Sequence, residues 1–153
     1  MRNFIIQDSE GRKLAWANSN WTHLDISTGL PARLTPADTD NYVLGEKMEM
    51  DYAPRKIKLP EDMIAQEAFT VQKHHLDTNH HVNNCQYVCM AEDFLPESFK
   101  IYQMRAEYKM QAKLGDVICP KVKTETDKVV VSLDNIEGKA YAIVEFLKKE
   151  GDI

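Results

Sequence analysis

The chain has few cysteines, no long apolar run and no excess of basic charge. Cys85, Cys89 and Cys119 are an odd number with no CxxC spacing, which points to free thiols in a reducing, cytoplasmic compartment and not to a disulfide framework. No apolar stretch approaches the roughly 20 residues of a membrane-spanning helix. Residues 1–15 lack the basic-then-apolar pattern of a secretory signal. A net charge of −5 argues against general binding to nucleic acid. Within 153 residues, 43% hydrophobic and 28% charged, there is room for one well-buried domain, or for one domain and a piece of another.

Charge is unevenly spread. Residues 1–97 carry 9 basic and 15 acidic side chains, a net of −6, whereas residues 98–149 carry 10 basic and 7 acidic, a net of +3. A basic region of this kind can receive an acidic partner, and solvated strand faces show the same pattern.

Two strands, Arg2–Asp8 and Lys13–Ile26, are expected around the turn Asp8-Ser9-Glu10-Gly11, with Trp16 and Trp21 on opposite faces of the second. Thr35-Pro36-Ala37-Asp38 has the makings of a helix start, with Thr as N-cap and Pro at the first helical position; a short helix should end near Gly45. Residues 46–60, charged and containing Pro54 and Pro60, read as a connection. A strand is expected from Met63 to Leu76, carrying Phe69 and Val71. A helix should then run from Val82 to about Leu95, with Val88, Ala91 and Leu95 on one side and Pro96 as its stop.

The clearest periodicity follows. Tyr102, Met104, Ala106, Tyr108, Met110, Ala112 and Leu114 alternate with Gln103, Arg105, Glu107, Lys109, Gln111 and Lys113, predicting a long antiparallel strand with one wet face. Further strands are expected at 116–125, 128–134 and 140–148, and Pro120 predicts a bulge or an edge. The order strand, helix, four strands is an α+β unit in which one antiparallel sheet wraps one helix. The expected organisation is a partial unit at 1–45, a linker at 46–60 and a complete domain at 61–149.

Ahead of the helix lies Asp77-Thr78-Asn79-His80-His81-Val82-Asn83-Asn84. A carboxylate, an amide and imidazoles stand at a helix entrance, where unpaired N–H groups point at whatever oxygen sits before them. Such a cluster can polarise a carbonyl and position a water. Four of the five histidines fall in 74–81, but no histidine follows His81 to close a zinc site, so a metal would depend on Asp or Glu. His74, His75 and His80 read as surface or strand-end residues. Cys85 and Cys89, four apart, read as one packed helix face.

The run from Asp77 to Tyr87 resembles the D-x-N-x-H-V-N-N-x-x-Y signature of plant and bacterial acyl-ACP thioesterases. Those are double hot-dog proteins that hydrolyse fatty acyl thioesters of acyl carrier protein. Tyr108 to Asp116 resembles that family's strand and turn after the helix, and Trp21 to Arg33 resembles the end of its first hot-dog and the linker. The resemblance implies a hot-dog fold for 61–149 and, for 1–45, the remnant of a first hot-dog whose opening strand and central helix, roughly the first third of a family member, have no counterpart here. It implies catalysis by Asp77, Asn79 and His81, in which His81 orients or protonates, Asn79 hydrogen-bonds substrate or water and Asp77 fixes the constellation. Val82, Asn83 and Asn84 would contact substrate. No cofactor is implied. The implied partner is an acyl carrier protein, and an incomplete first unit implies self-association into a homo-oligomer.

One position departs from the family. Its members carry a glutamate as water-activating base, followed in plants by a cysteine, where this chain has Gln111 and Ala112. A neutral amide positions water but cannot take its proton. Either Asp77 is the base, or the chain is a slow or inactive hot-dog module that binds acyl groups. An acyl-CoA thioesterase is a third reading, and a thiol mechanism at position 112 is excluded. The alternation puts Gln111 on the wetter strand face, so its approach to the site is an expectation.

Overall fold

Arg2–Gln7 (β1) and Lys13–Ser19 (β2) form an antiparallel hairpin in the computed structural model, which describes residues 1–149. Its turn is made by Asp8, whose Oδ1 accepts the N–H groups of Glu10 and Arg12, each at 2.9 Å. β2 stops at Ser19, seven residues short of Ile26, so Trp21 does not share a strand with Trp16. Trp21 Nε1 donates instead to Ser19 Oγ at 2.7 Å. The helix expected from Thr35 is a single turn, Pro36–Thr39 (α1), and does not reach Gly45. Asp38 Oδ2 accepts from the Thr35 N–H and hydroxyl, at 2.8 and 2.7 Å, so the start is well made. No residue of α1 is buried, and a start without tertiary packing does not propagate.

These elements belong to a compact unit, Met1–Ala53; a second begins at Pro54. The division falls inside the stretch 46–60 expected to be a linker.

In the second unit, the strand expected over 63–76 is broken into Ile64–Ala65 (β3) and Phe69–Thr70 (β4), followed by a 3₁₀ turn at Lys73–His75. Next come the helix Asn84–Glu92 (α2) and the strands Ile101–Tyr108 (β5), Val117–Thr124 (β6), Lys128–Asp134 (β7) and Ala140–Lys148 (β8). All pairings are antiparallel, in the order β3-β6-β7-β8-β5, and β4 also pairs β6. One helix across such a sheet is the hot-dog arrangement.

The break between β3 and β4 has a local cause. Ala65 stands opposite Lys121 and Phe69 opposite Ile118, so one extra residue is accommodated across from Pro120. Proline has no N–H to donate, and only its carbonyl serves the ladder, accepting from Gln66 N at 2.9 Å. The bulge that Pro120 predicts therefore sits in the neighbouring strand.

Between helix and sheet, Tyr87, Met90 and Ala91 of α2 meet Val122, Val129, Val131, Leu133, Val144 and Phe146. Full burial of one such aliphatic side chain stabilises by about 1.5–3 kcal/mol. The sheet's other face holds a smaller apolar cluster, Ile57, Val130 and Ile143.

β5 reverses an expectation. It ends at Tyr108, and its apolar face is the more open one, with Tyr102 64% and Met104 45% exposed. Its polar face is half-buried because residues 54–57 lie on it. Arg105 pairs with Glu145 at 2.7 Å and donates to the Pro54 carbonyl at 2.5 Å, while Glu107 Oε2 accepts the Ile57 N–H at 3.1 Å. Alternation separates the two faces of a strand but does not say which face another segment will cover.

Candidate functional site

The polar run folds into a tight hairpin. Leu76 pairs with Val82, the Asp77 N–H donates to the His81 carbonyl at 2.9 Å, and the His80 N–H donates to the Asp77 carbonyl at 3.1 Å. His80 takes φ +61 to close the turn, a left-handed conformation that histidine enters more readily than most side chains. The Asp77 carboxylate holds the loop from inside: Oδ1 accepts the N–H groups of Asn79 at 2.8 Å and His81 at 3.4 Å. Oδ2 has no hydrogen-bond partner among the described residues and is open to a water or substrate. Asp77 and His81 are half-buried, whereas Asn79 is exposed.

An accounting of N–H groups at the helix entrance is informative. Val82 donates to the Ala112 carbonyl at 2.9 Å and Asn83 to the His75 carbonyl at 2.9 Å. Asn83 is the N-cap, its Oδ1 accepting from Cys85 at 2.8 Å, and the Gln86 N–H donates to the Asn83 carbonyl at 2.9 Å. Among the described residues, Asn84 is left as the first-turn N–H without an acceptor. Of the three residues expected to contact substrate, Val82 is 4% exposed and lies in the core with its N–H taken, Asn83 spends its side-chain oxygen on the cap, and Asn84 keeps a free N–H and an exposed side chain.

The chain leaves β5 at Lys109 and Met110, whose N–H groups both donate to the Tyr141 carbonyl, at 2.8 and 3.2 Å. It then runs beside the site loop. His81 pairs antiparallel with Lys113, and the register carried through Val82 and Ala112 puts Gln111 across from Asn83. Gln111 thus stands beside the helix entrance, exposed, while Ala112 is fully buried. Among the described residues its side chain makes no hydrogen bond to Asp77, Asn79 or His81.

Sequence reasoning passed over four residues that build this site. His75 is not merely a surface residue: its Nδ1 accepts the Gln72 N–H at 2.9 Å, and burial, aided by neighbouring His74, lowers its pKa. Tyr108 donates to the Asn84 carbonyl at 3.2 Å, and desolvation of its hydroxyl raises its pKa. Tyr87 is 2% exposed and its oxygen accepts the Ala112 N–H at 2.8 Å. Asp116 Oδ2 accepts the Lys113 N–H at 2.9 Å and the Tyr141 hydroxyl at 3.2 Å. Tyr87 carried a signal as the last residue of the Asp77–Tyr87 run, and Tyr108 and Asp116 as the ends of the Tyr108–Asp116 run; His75 carried none.

Cys85 and Cys89 are both exposed, so the packed face expected for them is absent. A hydrogen bond with Cys85 raises the Cys89 pKa.

The family model for the acyl-ACP thioesterase C-terminal domain matches residues 57–146, more than half of the chain. The chain belongs to the acyl-ACP thioesterase family. The match opens at Ile57, which packs under the sheet.

An acyl-ACP thioesterase from Bacteroides thetaiotaomicron superposes with a TM-score of 0.84 at 20% identity, over 96% of this chain and 61% of that one. A Lactobacillus plantarum protein described as an oleoyl thioesterase does so with a TM-score of 0.70 at 20% identity, over 97% of this chain and 62% of that one. A hypothetical protein from Staphylococcus aureus, solved in complex with CoA, reaches a TM-score of 0.50 at 17% identity, over 57% of this chain and 75% of that one. At these identities the likeness is one of fold. This acyl-ACP thioesterase family chain spans about three fifths of the length of the first two. No curated protein matches its sequence.

Proposed function

We propose that the chain hydrolyses fatty acyl thioesters of acyl carrier protein, releasing the free fatty acid. The observation that carries this reading is the Asp77–His81 hairpin set against a helix start whose Asn84 N–H has no acceptor among the described residues. A thioester carbonyl entering there meets an oxyanion donor in Asn84 N–H. His81 orients the carbonyl or protonates the leaving thiolate, and Asn79 hydrogen-bonds substrate or the attacking water. With Gln111 in place of a carboxylate, Asp77 Oδ2 is the group able to take the water's proton, while Gln111 holds the water by its amide.

Acyl carrier protein is preferred over CoA as the thioester carrier because the matching family is that of acyl-ACP thioesterases, and the net charge of +3 over 98–149 suits an acidic carrier. The chain self-associates. β5 ends the sheet, with no strand on its outer side among the described residues and with Tyr102 and Met104 exposed, and a second copy would cover it. Its compartment is the cytoplasm, in keeping with three free thiols.

Gln111 favours a second reading, an acyl-binding module without turnover. The two separate in one assay: fatty acid release from a long-chain acyl-ACP, with acyl-CoA in parallel. Faster turnover of the acyl-ACP supports the first reading, and binding of either thioester without turnover supports the second.

A further inference from the structure

We infer that Tyr87 is a positioning residue of this site, acting through its hydroxyl on the Ala112 backbone and so on Gln111. The inference rests on the thioesterase reading above for its kinetic part and on geometry alone for its structural part.

Residues 109–116 leave the sheet after Tyr108 and, in place of a full strand ladder, keep the isolated pairing of Lys113 with His81. What holds them is a short series of hydrogen bonds. The Ala112 carbonyl accepts the Val82 N–H of the site loop at 2.9 Å. On the same residue, the Ala112 N–H donates to the Tyr87 oxygen at 2.8 Å, across 25 residues of chain. Tyr87 is the fourth residue of α2, one turn beyond the Asn83 cap and Asn84. One buried phenol therefore ties the helix that presents Asn84 to the segment that presents Gln111. The far side of the same segment is tied to the sheet, where Asp116 Oδ2 accepts both the Lys113 N–H and the Tyr141 hydroxyl. Gln111 sits between these two anchors and contributes no hydrogen bond of its own to the site loop among the described residues.

Packing alone does not require the hydroxyl. Phenylalanine fills the same core space, and its cost is specific: a fully buried Ala112 N–H with no acceptor. The Tyr87→Phe change therefore separates positioning from core filling.

The experiment is amide hydrogen exchange on the full chain and on Y87F, with thioester hydrolysis measured alongside. Exchange at Ala112 and Val82 is expected to rise about tenfold or more in Y87F, while Val131 and Val144 in the central ladder stay unchanged. In hydrolysis, kcat falls about tenfold with KM unchanged. In a Gln111→Ala background Y87F has no further effect on kcat, because the residue it positions is gone. Unchanged exchange at Ala112, or a uniform rise that includes Val131 and Val144, overturns the inference. So do losses in kcat that multiply independently in the double variant. A wild-type chain without hydrolysis contradicts the thioesterase reading only, and the exchange measurement still decides whether Tyr87 positions the segment.

Discussion

Asp77 and His81 hold each other twice: the Asp77 N–H donates to the His81 carbonyl at 2.9 Å, and Asp77 Oδ1 accepts the His81 N–H at 3.4 Å. The carboxylate thus shapes the loop with one oxygen and offers the other to chemistry. This double duty separates two kinds of substitution. Asparagine keeps an acceptor for the loop and removes the proposed base, whereas alanine removes both.

At position 111, a carboxylate restores the proton acceptor that the amide lacks. Gln111→Glu is expected to raise the rate of acyl-thioester hydrolysis on the order of a hundredfold, the scale of general-base assistance. Release of free thiol from an acyl-ACP, followed by a thiol reagent, checks it. No gain means that Gln111 is not the limiting group.

The His75 imidazole must be neutral to accept the Gln72 N–H. Its pKa is lowered in the folded state by burial and by His74, from an ordinary value of 6.5. The unfolded chain therefore binds the proton first. This contribution to stability is complete above pH 6.5 and is lost as the pH falls through the lower folded value. Exchange of the Gln72 and Asn83 amides should accelerate as the pH is lowered below 6.5, after correction for intrinsic rates. A His75→Gln variant should show no such pH dependence.

The Tyr141 pKa is pushed up to about 12 by burial and by the Asp116 carboxylate, which accepts a hydrogen bond from its hydroxyl. Because the folded value is raised, its contribution is full below pH 10 and is lost as the pH rises through about 12. In an absorbance titration of phenolate, Tyr141→Phe is expected to remove a component ionising near 12 and to leave the earlier ones.

Arg105 fastens residues 54–57 to the sheet through Glu145 and the Pro54 carbonyl. Arg105→Leu strands a largely buried carboxylate and should cost about 3 kcal/mol, read from the urea midpoint. The paired change Arg105→Leu with Glu145→Leu should recover most of that loss, since no charge is then left without its partner.

Much of the second unit could be read from residues. The strands Val117–Thr124, Lys128–Asp134 and Ala140–Lys148 lie within a residue of their expected bounds, because β-branched runs between Gly115, Asp127 and Gly138 leave little choice. The helix was legible, though it is shorter than 82–95, since Asn83 caps it and the last turn tightens after Glu92. Long-range events were not legible. The segment 54–57 covers the polar face of β5 by one arginine, and Pro120 breaks a strand other than its own. At the site, the residue types of the Asp77–Asn84 run marked the loop. Which N–H stays free was decided by partners as distant as His75 and Ala112, which no local pattern encodes.

The most direct test is fatty acid release from a long-chain acyl-ACP by the full chain, compared with Asp77→Asn and Asp77→Ala. Turnover by the wild-type chain is expected, with a loss of about a hundredfold or more in Asp77→Asn at unchanged thermal stability. Asp77→Ala should show the same loss together with a lower melting temperature. Wild-type turnover that survives in Asp77→Asn, or its absence in all three, would contradict the assignment of Asp77 as the base of a thioester hydrolase.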